Sequence, residues 1–190
     1  MDSCVSLRME YRSNPWEVKS FEDLYDNDWI TLREDQVINP GGKQGVYGKV
    51  LFKNRAVAII PLDQEQHTWI VGQYRHTLSE YSWEIPMGGV PFEEDLMNGA
   101  KRELREETGL VAEVWDQILK VHTSNCVTDE VGYCFLAQGL TQGPTNFDET
   151  EDLEIKRVPF DTALEMVMEG QITDAISVAG ILKLARLQRL

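Results

Sequence analysis

One amphipathic segment, residues 94–108, constrains the fold of this chain more than any other part of its sequence. Leu96, Ala100 and Leu104 recur every four residues and leave a charged face opposite, which predicts a helix with one buried stripe. Gly109 follows directly and supplies a stop signal for that helix. Because the buried stripe needs an apolar surface, we expect a sheet built from the strand-like runs on either side.

Those runs predict a mixed architecture with two parts. Residues 14–53 read as a small β-rich unit, whereas residues 56–62 form a continuous apolar run typical of a strand buried on both faces. We expect residues 68–74 to pair with that strand as a hairpin. Further strands are expected at 83–86, 131–137 and 153–159, and helices at 162–169 and after Asp174. Without strict strand–helix alternation, the pattern favours an α+β fold or a sheet sandwiched by helices, divided into residues 1–53 and 54–190.

The charged face of the helix carries three carboxylates. Glu103, Glu106 and Glu107 are three or four residues apart and converge on one side. At about 4 Å, a like-charged pair costs about 4 kcal/mol at an effective dielectric of 20. Protonation or a hard cation would relieve that repulsion, and oxygen-only ligands favour Mg²⁺ or Mn²⁺ over zinc. On these glutamates alone, a solvated acidic helix face is the alternative interpretation.

The residues that flank the three glutamates favour the metal-binding interpretation over a solvated helix face. The sequence matches the Nudix box at every defined position. The matching residues are Gly88, then Glu94 after five intervening residues, and then, after seven more, the run of residues 102–110. The chain therefore resembles the Nudix hydrolase family. The resemblance implies an α/β/α sandwich with the box as loop–helix–loop, here with a small N-terminal β-sheet subdomain. It also implies cleavage of a nucleoside diphosphate linked to another moiety.

The resemblance implies a role for each residue of the box. Glu106, a catalytic residue, and Glu107 resemble the core metal ligands, and Glu103 completes the cluster. Gly88 lets the backbone bend toward the metal, so that the Met87 carbonyl can add a ligand. The other roles are structural: Arg102 holds the glutamates, Glu94 is a further acid near the site, and Gly109 ends the helix.

Segments outside the box resemble the ADP-ribose pyrophosphatase branch of the family. The resemblance places Arg75 near the pyrophosphate, Glu84 close to the substrate and Glu130 near the terminal sugar, as substrate-binding residues. A structural salt bridge is the alternative for Arg75, and an ordinary exposed acid is the alternative for each of the two glutamates. One departure is that residues 123–127 contain no proline, whereas ADP-ribose hydrolases often have one in this loop. Other nucleotide sugars therefore stay open as substrates. The segments that carry this resemblance are residues 73–75, 83–89, 128–130 and 170–175.

An acidic loop at residues 148–152 resembles the mobile catalytic loop of that branch. Aligning it on the strand that follows makes Glu149 the general base and Glu151 a metal ligand, both counted as catalytic. The two roles could be exchanged. A solvated acidic loop without a catalytic role is the alternative.

The N-terminal unit is expected to form a homodimer, because about 40 residues are too few to bury a core alone. In the resembling branch this unit packs across the dimer and helps to build the partner's site. Trp29 and Tyr47 could then stack on the base of the substrate from the neighbouring subunit, although core packing explains both residues equally well.

The combined prediction is a Mg²⁺- or Mn²⁺-dependent hydrolase of a nucleoside diphosphate sugar, with ADP-ribose leading. The alternatives are a hydrolase of a GDP-sugar or an oxidised nucleoside triphosphate, or a non-catalytic nucleotide-binding module. The formal net charge of −14 disfavours nucleic acid and anionic membranes as partners. No apolar run approaches the ~20 residues of a membrane helix and no secretory pattern is present, so we expect a cytoplasmic protein.

Overall fold

The computed structural model describes residues 13–143 and 153–188. Its N-terminal part is an antiparallel three-stranded sheet in the order β1 (Glu17–Asp26), β2 (Ile30–Ile38) and β3 (Gln44–Phe52). The second and third strands agree with the β-rich unit predicted for residues 14–53. The first strand was not predicted, because all ten of its residues are exposed and nothing in its sequence marks a buried face.

The central sheet has four strands in the order β7 (Met87–Pro91), β4 (Asn54–Pro61), β9 (Val131–Gln142) and β8 (Leu110–His122). The β4 and β9 strands are parallel, and the other neighbours are antiparallel. The β8 strand was not predicted. It follows the box helix directly and pairs with β9 along almost its whole length.

A third sheet joins β10 (Glu154–Pro159), β5 (His67–Arg75) and β6 (Glu80–Glu84). The predicted hairpin between residues 56–62 and 68–74 is wrong. Only an isolated bridge joins Leu62 to Thr68, and β5 then pairs with β10 and β6. The reason is that both edges of β4 are already occupied by β7 and β9.

Helices cover both faces of the central sheet, which confirms the predicted sandwich. Val57 and Ile59 of β4 belong to the core on the side of the first helix, whereas Ala58 and Ile60 belong to the core beneath the two C-terminal helices. All four side chains are fully buried, as the continuous apolar run predicts. Within the described ranges, no helix has the length and apolar character needed to cross a bilayer. The helices are α1 (Leu96–Thr108), α2 (Phe160–Met168) and α3 (Ala175–Gln188).

The start of α2 differs from the prediction. The helix begins at Phe160, two residues before the predicted start, and Pro159 precedes it without a side-chain cap. Phe160 is almost completely buried, and its backbone N–H donates to the Gln66 carbonyl at 2.8 Å. Packing of this side chain therefore fixes the first turn, where the sequence suggested a polar cap.

Candidate active site

The box helix α1 is fixed at both ends by local hydrogen bonds. The Asp95 side chain accepts from the backbone N–H of Asn98 at 3.1 Å, which caps the first turn. Gly109 ends the helix in the left-handed conformation, with φ 72°, and its N–H donates to the Arg105 carbonyl at 2.9 Å. The predicted stop at Gly109 is thus present, and the acidic face of the helix has one fixed orientation.

Arg102 ties the acidic residues of the box together. One guanidinium nitrogen, Nη1, lies 2.7 Å from Glu103 Oε1 and 3.0 Å from Glu106 Oε2. The other, Nη2, lies 3.3 Å from Glu94 Oε2 and 3.0 Å from the Gly89 carbonyl oxygen. Burial alone would lower the pKa of Arg102, but the surrounding carboxylates outweigh it and raise that pKa. One guanidinium therefore contacts three acids of the box: Glu94, Glu103 and Glu106.

Gly88 brings the β7 strand against the box helix. A Cβ atom on this glycine would lie 2.2 Å from Glu103 Cδ and within 2.5 Å of both carboxylate oxygens. The preceding backbone N–H, of Met87, donates to Glu107 Oε2 at 3.0 Å. Glu107 is 2% exposed, so its carboxylate is held in a buried position beside the backbone. Strand and helix together bring Glu103 and Glu107 to residues 87–88.

The glutamates of the box suit a divalent cation by their donor chemistry. Glu103, Glu106 and Glu107 supply only oxygen atoms, and the single charge of Arg102 is shared between Glu103, Glu106 and a further acid. Hard cations such as Mg²⁺ and Mn²⁺ take oxygen ligands and offset this kind of carboxylate repulsion.

A second acidic group lies elsewhere, at the turn between β4 and β5. Ligand atoms of Asp63, Glu65 and His67 come within 4.8 Å of one another. Arg157 already pairs with both carboxylates, at 2.5 Å and 2.6 Å. Asp63 also accepts backbone N–H bonds from its own turn. These contacts explain the group as a structural turn.

A cleft of about 770 Å³ opens where the N-terminal unit, β5, β7 and the start of α3 meet. Gly88 lies on its wall, so the box borders the cleft at the point where Glu103 packs on the backbone. Four of the five residues predicted to bind substrate also line it: Trp29, Arg75, Glu84 and Glu130. The structure therefore brings these distant parts of the chain to one concave surface.

Arg75 and Glu84, which both line this cleft, form a bidentate ion pair. Arg75 Nε donates to Glu84 Oε1 at 2.9 Å, and Nη2 donates to the other oxygen. The hydrogen bond to Glu84 raises the pKa of Arg75, and the charges of Asp174 and Glu107 add to it. Because Glu84 is 3% exposed and binds Arg75 with both oxygens, its arrangement suits positioning of the guanidinium.

The remaining predicted contacts divide between the cleft and the N-terminal unit. Glu130 accepts a hydrogen bond from the Thr123 hydroxyl. Trp29 is 67% exposed, which leaves its ring available to a ligand. Tyr47 does not line the cleft of its own chain: its hydroxyl donates to the Cys126 carbonyl at 2.6 Å, and its ring packs edge-on against Trp16. Glu149 and Glu151 lie outside the described residues.

Two further residues on the cleft wall, Arg55 and Asp174, were not predicted from the sequence. Arg55, the second residue of β4, lies on the cleft wall and donates through Nη2 to the carbonyls of Pro91, Phe92 and Glu94, which fixes the loop entering the box helix. A charged residue directly before a fully apolar strand was the signal that could have found it. Asp174, the other, accepts from a backbone N–H in the first turn of α3 at 2.7 Å and lines the cleft.

Comparisons with known proteins show which sequence families this chain matches. The sequence model of the NUDIX domain matches residues 52–175, and that of the nucleoside diphosphate sugar hydrolase N-terminal domain matches residues 16–50. The ADP-ribose pyrophosphatase of Mycobacterium tuberculosis is 35% identical over 172 residues, which cover 88% of this chain and 82% of that protein. The ADP-ribose pyrophosphatase of Bacillus subtilis is 31% identical over 156 residues, covering 81% and 84%.

Two further matches broaden the comparison. The methanol dehydrogenase activator of Bacillus methanolicus is 30% identical over 162 residues, covering 84% of this chain and 87% of that protein. A crystal structure of an ADP compounds hydrolase superposes with a TM-score of 0.83 at 19% identity, covering 95% of this chain and 97% of that one, and it shows the shared fold. With a complete box on the expected helix and a matching domain over most of its length, the chain belongs to the Nudix hydrolase family.

Proposed function

We propose that this enzyme hydrolyses the pyrophosphate of a nucleoside diphosphate sugar, with ADP-ribose the leading substrate, to a nucleoside monophosphate and a sugar phosphate. The observation that carries the proposal is the junction at Gly88, a cleft residue like Arg75 and Glu130, against which the carboxylate of Glu103 packs from the box helix. Two relatives are ADP-ribose pyrophosphatases, and the match to a nucleoside diphosphate sugar hydrolase N-terminal domain adds support.

The proposed cofactor is Mg²⁺ or Mn²⁺. Such an ion neutralises phosphate charge and lowers the pKa of a bound water. The oxygen-only ligands of the box support this choice, and Arg102 holds the carboxylates of Glu103 and Glu106 in place by hydrogen bonds. The residues proposed to hold the ion are Glu103, Glu106, Glu107, Glu151 and the carbonyl of Met87.

Side chains of this chain would carry the other steps. Glu149 is the proposed general base and takes a proton from the attacking water onto its carboxylate. Arg75 donates to a phosphate oxygen from the cleft wall, where its pairing with Glu84 fixes the direction of the guanidinium. Such fixed donors stabilise developing charge on the phosphates without reorganising during the reaction.

The two ends of the substrate would be bound more loosely. Glu130 accepts from hydroxyl groups of the terminal sugar, as Glu84 would if its pairing with Arg75 opened. Trp29 stacks on the base, and Tyr47 does so from a neighbouring subunit. Because the loop at residues 123–127 lacks proline, we expect activity on several nucleotide sugars.

A homodimer built through residues 1–53 is part of the proposal. Apolar side chains on β1 are more than half exposed in the isolated chain, among them Phe21 at 59% and Leu24 at 53%, and a second copy would cover them. Light scattering at micromolar concentration should give twice the chain mass of 21.7 kDa, and a monomer mass would contradict the dimer. The cytoplasmic location stays a prediction.

A substrate panel tests the function. Purified protein with Mg²⁺ is assayed on ADP-ribose, other ADP-sugars, GDP-sugars and oxidised nucleoside triphosphates, each at several concentrations. We expect the highest kcat/KM on a diphosphate sugar. Higher kcat/KM on the triphosphates would reject the substrate assignment, and binding without turnover would support the non-catalytic alternative.

A further inference from the structure

The free edge of the N-terminal sheet is covered by a loop of the catalytic domain. Among the strands that the structure describes, β3 pairs only with β2, which leaves its other edge open to a different segment. Val50 of β3 donates to the Val127 carbonyl at 2.9 Å, and the Asp129 N–H donates back to the Val50 carbonyl at 3.3 Å. Val50 and Thr128 thus form a parallel bridge. Because an open edge pairs readily with extended backbone, these bonds hold the loop in one register.

Two side chains reinforce this docking, one from each partner. The Tyr47 hydroxyl donates to the Cys126 carbonyl at 2.6 Å. In the opposite direction, Asp129 Oδ1 accepts from the backbone N–H of Phe52 at 2.8 Å. The loop is therefore hydrogen-bonded to β3 at three positions along the strand: Tyr47, Val50 and Phe52.

The same loop carries side chains into the cleft. Thr123 and Glu130 are at its two ends, their side chains are hydrogen-bonded to each other, and both line the cleft. Phe52, whose N–H holds the loop through Asp129, is another cleft residue. A shift of the docked segment would therefore change the position of the Glu130 carboxylate.

We infer that the N-terminal sheet sets sugar selectivity within its own chain, through this docked loop, with Tyr47 and Asp129 as positioning residues. The inference rests on the proposed function, since it concerns the group at the sugar end of the cleft. Neither residue need touch substrate: each holds the segment that carries Glu130. This positioning role of Tyr47 is distinct from base stacking across a dimer. Stacking would use the aromatic ring of Tyr47 and would not depend on its hydroxyl group.

Four variants test the inference. Asp129→Ala removes the acceptor for the Phe52 N–H, whereas Asp129→Asn keeps an oxygen in the same place. Tyr47→Phe deletes only the hydroxyl and retains the ring. Tyr25→Phe is the matched control, because its hydroxyl lies on β1 and contacts only a neighbouring asparagine among the hydrogen bonds of the described residues.

The readouts are KM and kcat on ADP-ribose and the ratio of kcat/KM between ADP-ribose and a second ADP-sugar. We expect Asp129→Ala to raise KM about 10-fold and Tyr47→Phe about 5-fold, with kcat within about 3-fold. The ratio between the two sugars should move toward one. Asp129→Asn should recover most of the KM, and Tyr25→Phe should behave as wild type.

The outcomes separate this inference from the function on which it rests. A wild-type enzyme inactive on every diphosphate sugar removes the function and the inference together. If the wild-type enzyme is active but neither Asp129→Ala nor Tyr47→Phe changes KM or the ratio of kcat/KM between the two sugars, the inference alone is overturned. A fall in kcat with KM unchanged also overturns it. Hydrogen exchange at the Phe52 amide should rise in Asp129→Ala; an unchanged rate would contradict the anchoring, and if this variant fails to fold, Tyr47→Phe decides the test.

Discussion

Gly88→Ala is the smallest change that tests the geometry of the acidic cluster. The added Cβ would lie 2.2–2.5 Å from three atoms of the Glu103 carboxyl group. Since carbon atoms pack at about 3.5–4.0 Å, the carboxylate must move by more than about 1 Å. The group that yields is the end of a flexible side chain, so the fold should tolerate the change. A misplacement of about 1 Å in a catalytic constellation costs about 10²-fold in rate.

The assay compares kcat and the Mn²⁺ dissociation constant of Gly88→Ala with those of Gly89→Ala. At residue 89 a Cβ would lie 3.4 Å from its nearest neighbour, an amide nitrogen of Asn54, which is ordinary contact. We expect kcat to fall about 100-fold in the first variant and to stay within about 3-fold in the second. Both melting temperatures should remain within a few degrees of wild type. Equal activities of the two variants would refute the proposed fit between residue 88 and Glu103.

Glu107→Gln should lower the rate about 10³-fold through weaker cation binding, measured by titration with Mn²⁺. Glu149→Gln should lower kcat about 10²–10⁴-fold while cation affinity survives, and Glu151→Gln should mainly weaken that affinity; the opposite pattern would exchange their roles. Arg55→Met should lower kcat about 10-fold because the loop before α1 loses three hydrogen bonds, with partial recovery in Arg55→Lys; equal, wild-type-like rates would reject it. Burial raises the pKa of Cys134 to about 12, so iodoacetamide at pH 8 should modify it only after unfolding, as mass spectrometry can follow; labelling in the native protein as fast as for an exposed thiol would contradict this.

The sequence predicted best what local interactions determine. The box helix could be recognised because its apolar stripe, its stop at Gly109 and its three glutamates are all encoded within about twenty residues. The buried strand β4 was equally visible, since a strand covered on both faces must be apolar throughout.

What the sequence did not predict depends on non-local partners. The β1 strand is held by pairing to β2 and buries none of its own residues, so no periodicity reveals it. The partners of β5 were predicted wrongly because the occupation of both β4 edges is decided by distant strands. In the same way, the ion pair of Glu84 with Arg75 and the bond from Tyr47 to the Cys126 carbonyl arise only after folding.

We propose above that the acidic box of this enzyme cleaves the pyrophosphate of a diphosphate sugar. Phosphorus NMR of ADP-ribose with Mg²⁺ and enzyme tests it most directly, with Glu106→Gln as the matched inactive variant. We expect the two coupled diphosphate signals to disappear and two phosphate monoester signals, from AMP and ribose 5-phosphate, to grow with wild type only. Diphosphate signals that persist with wild type, or that disappear equally fast with Glu106→Gln, would contradict it.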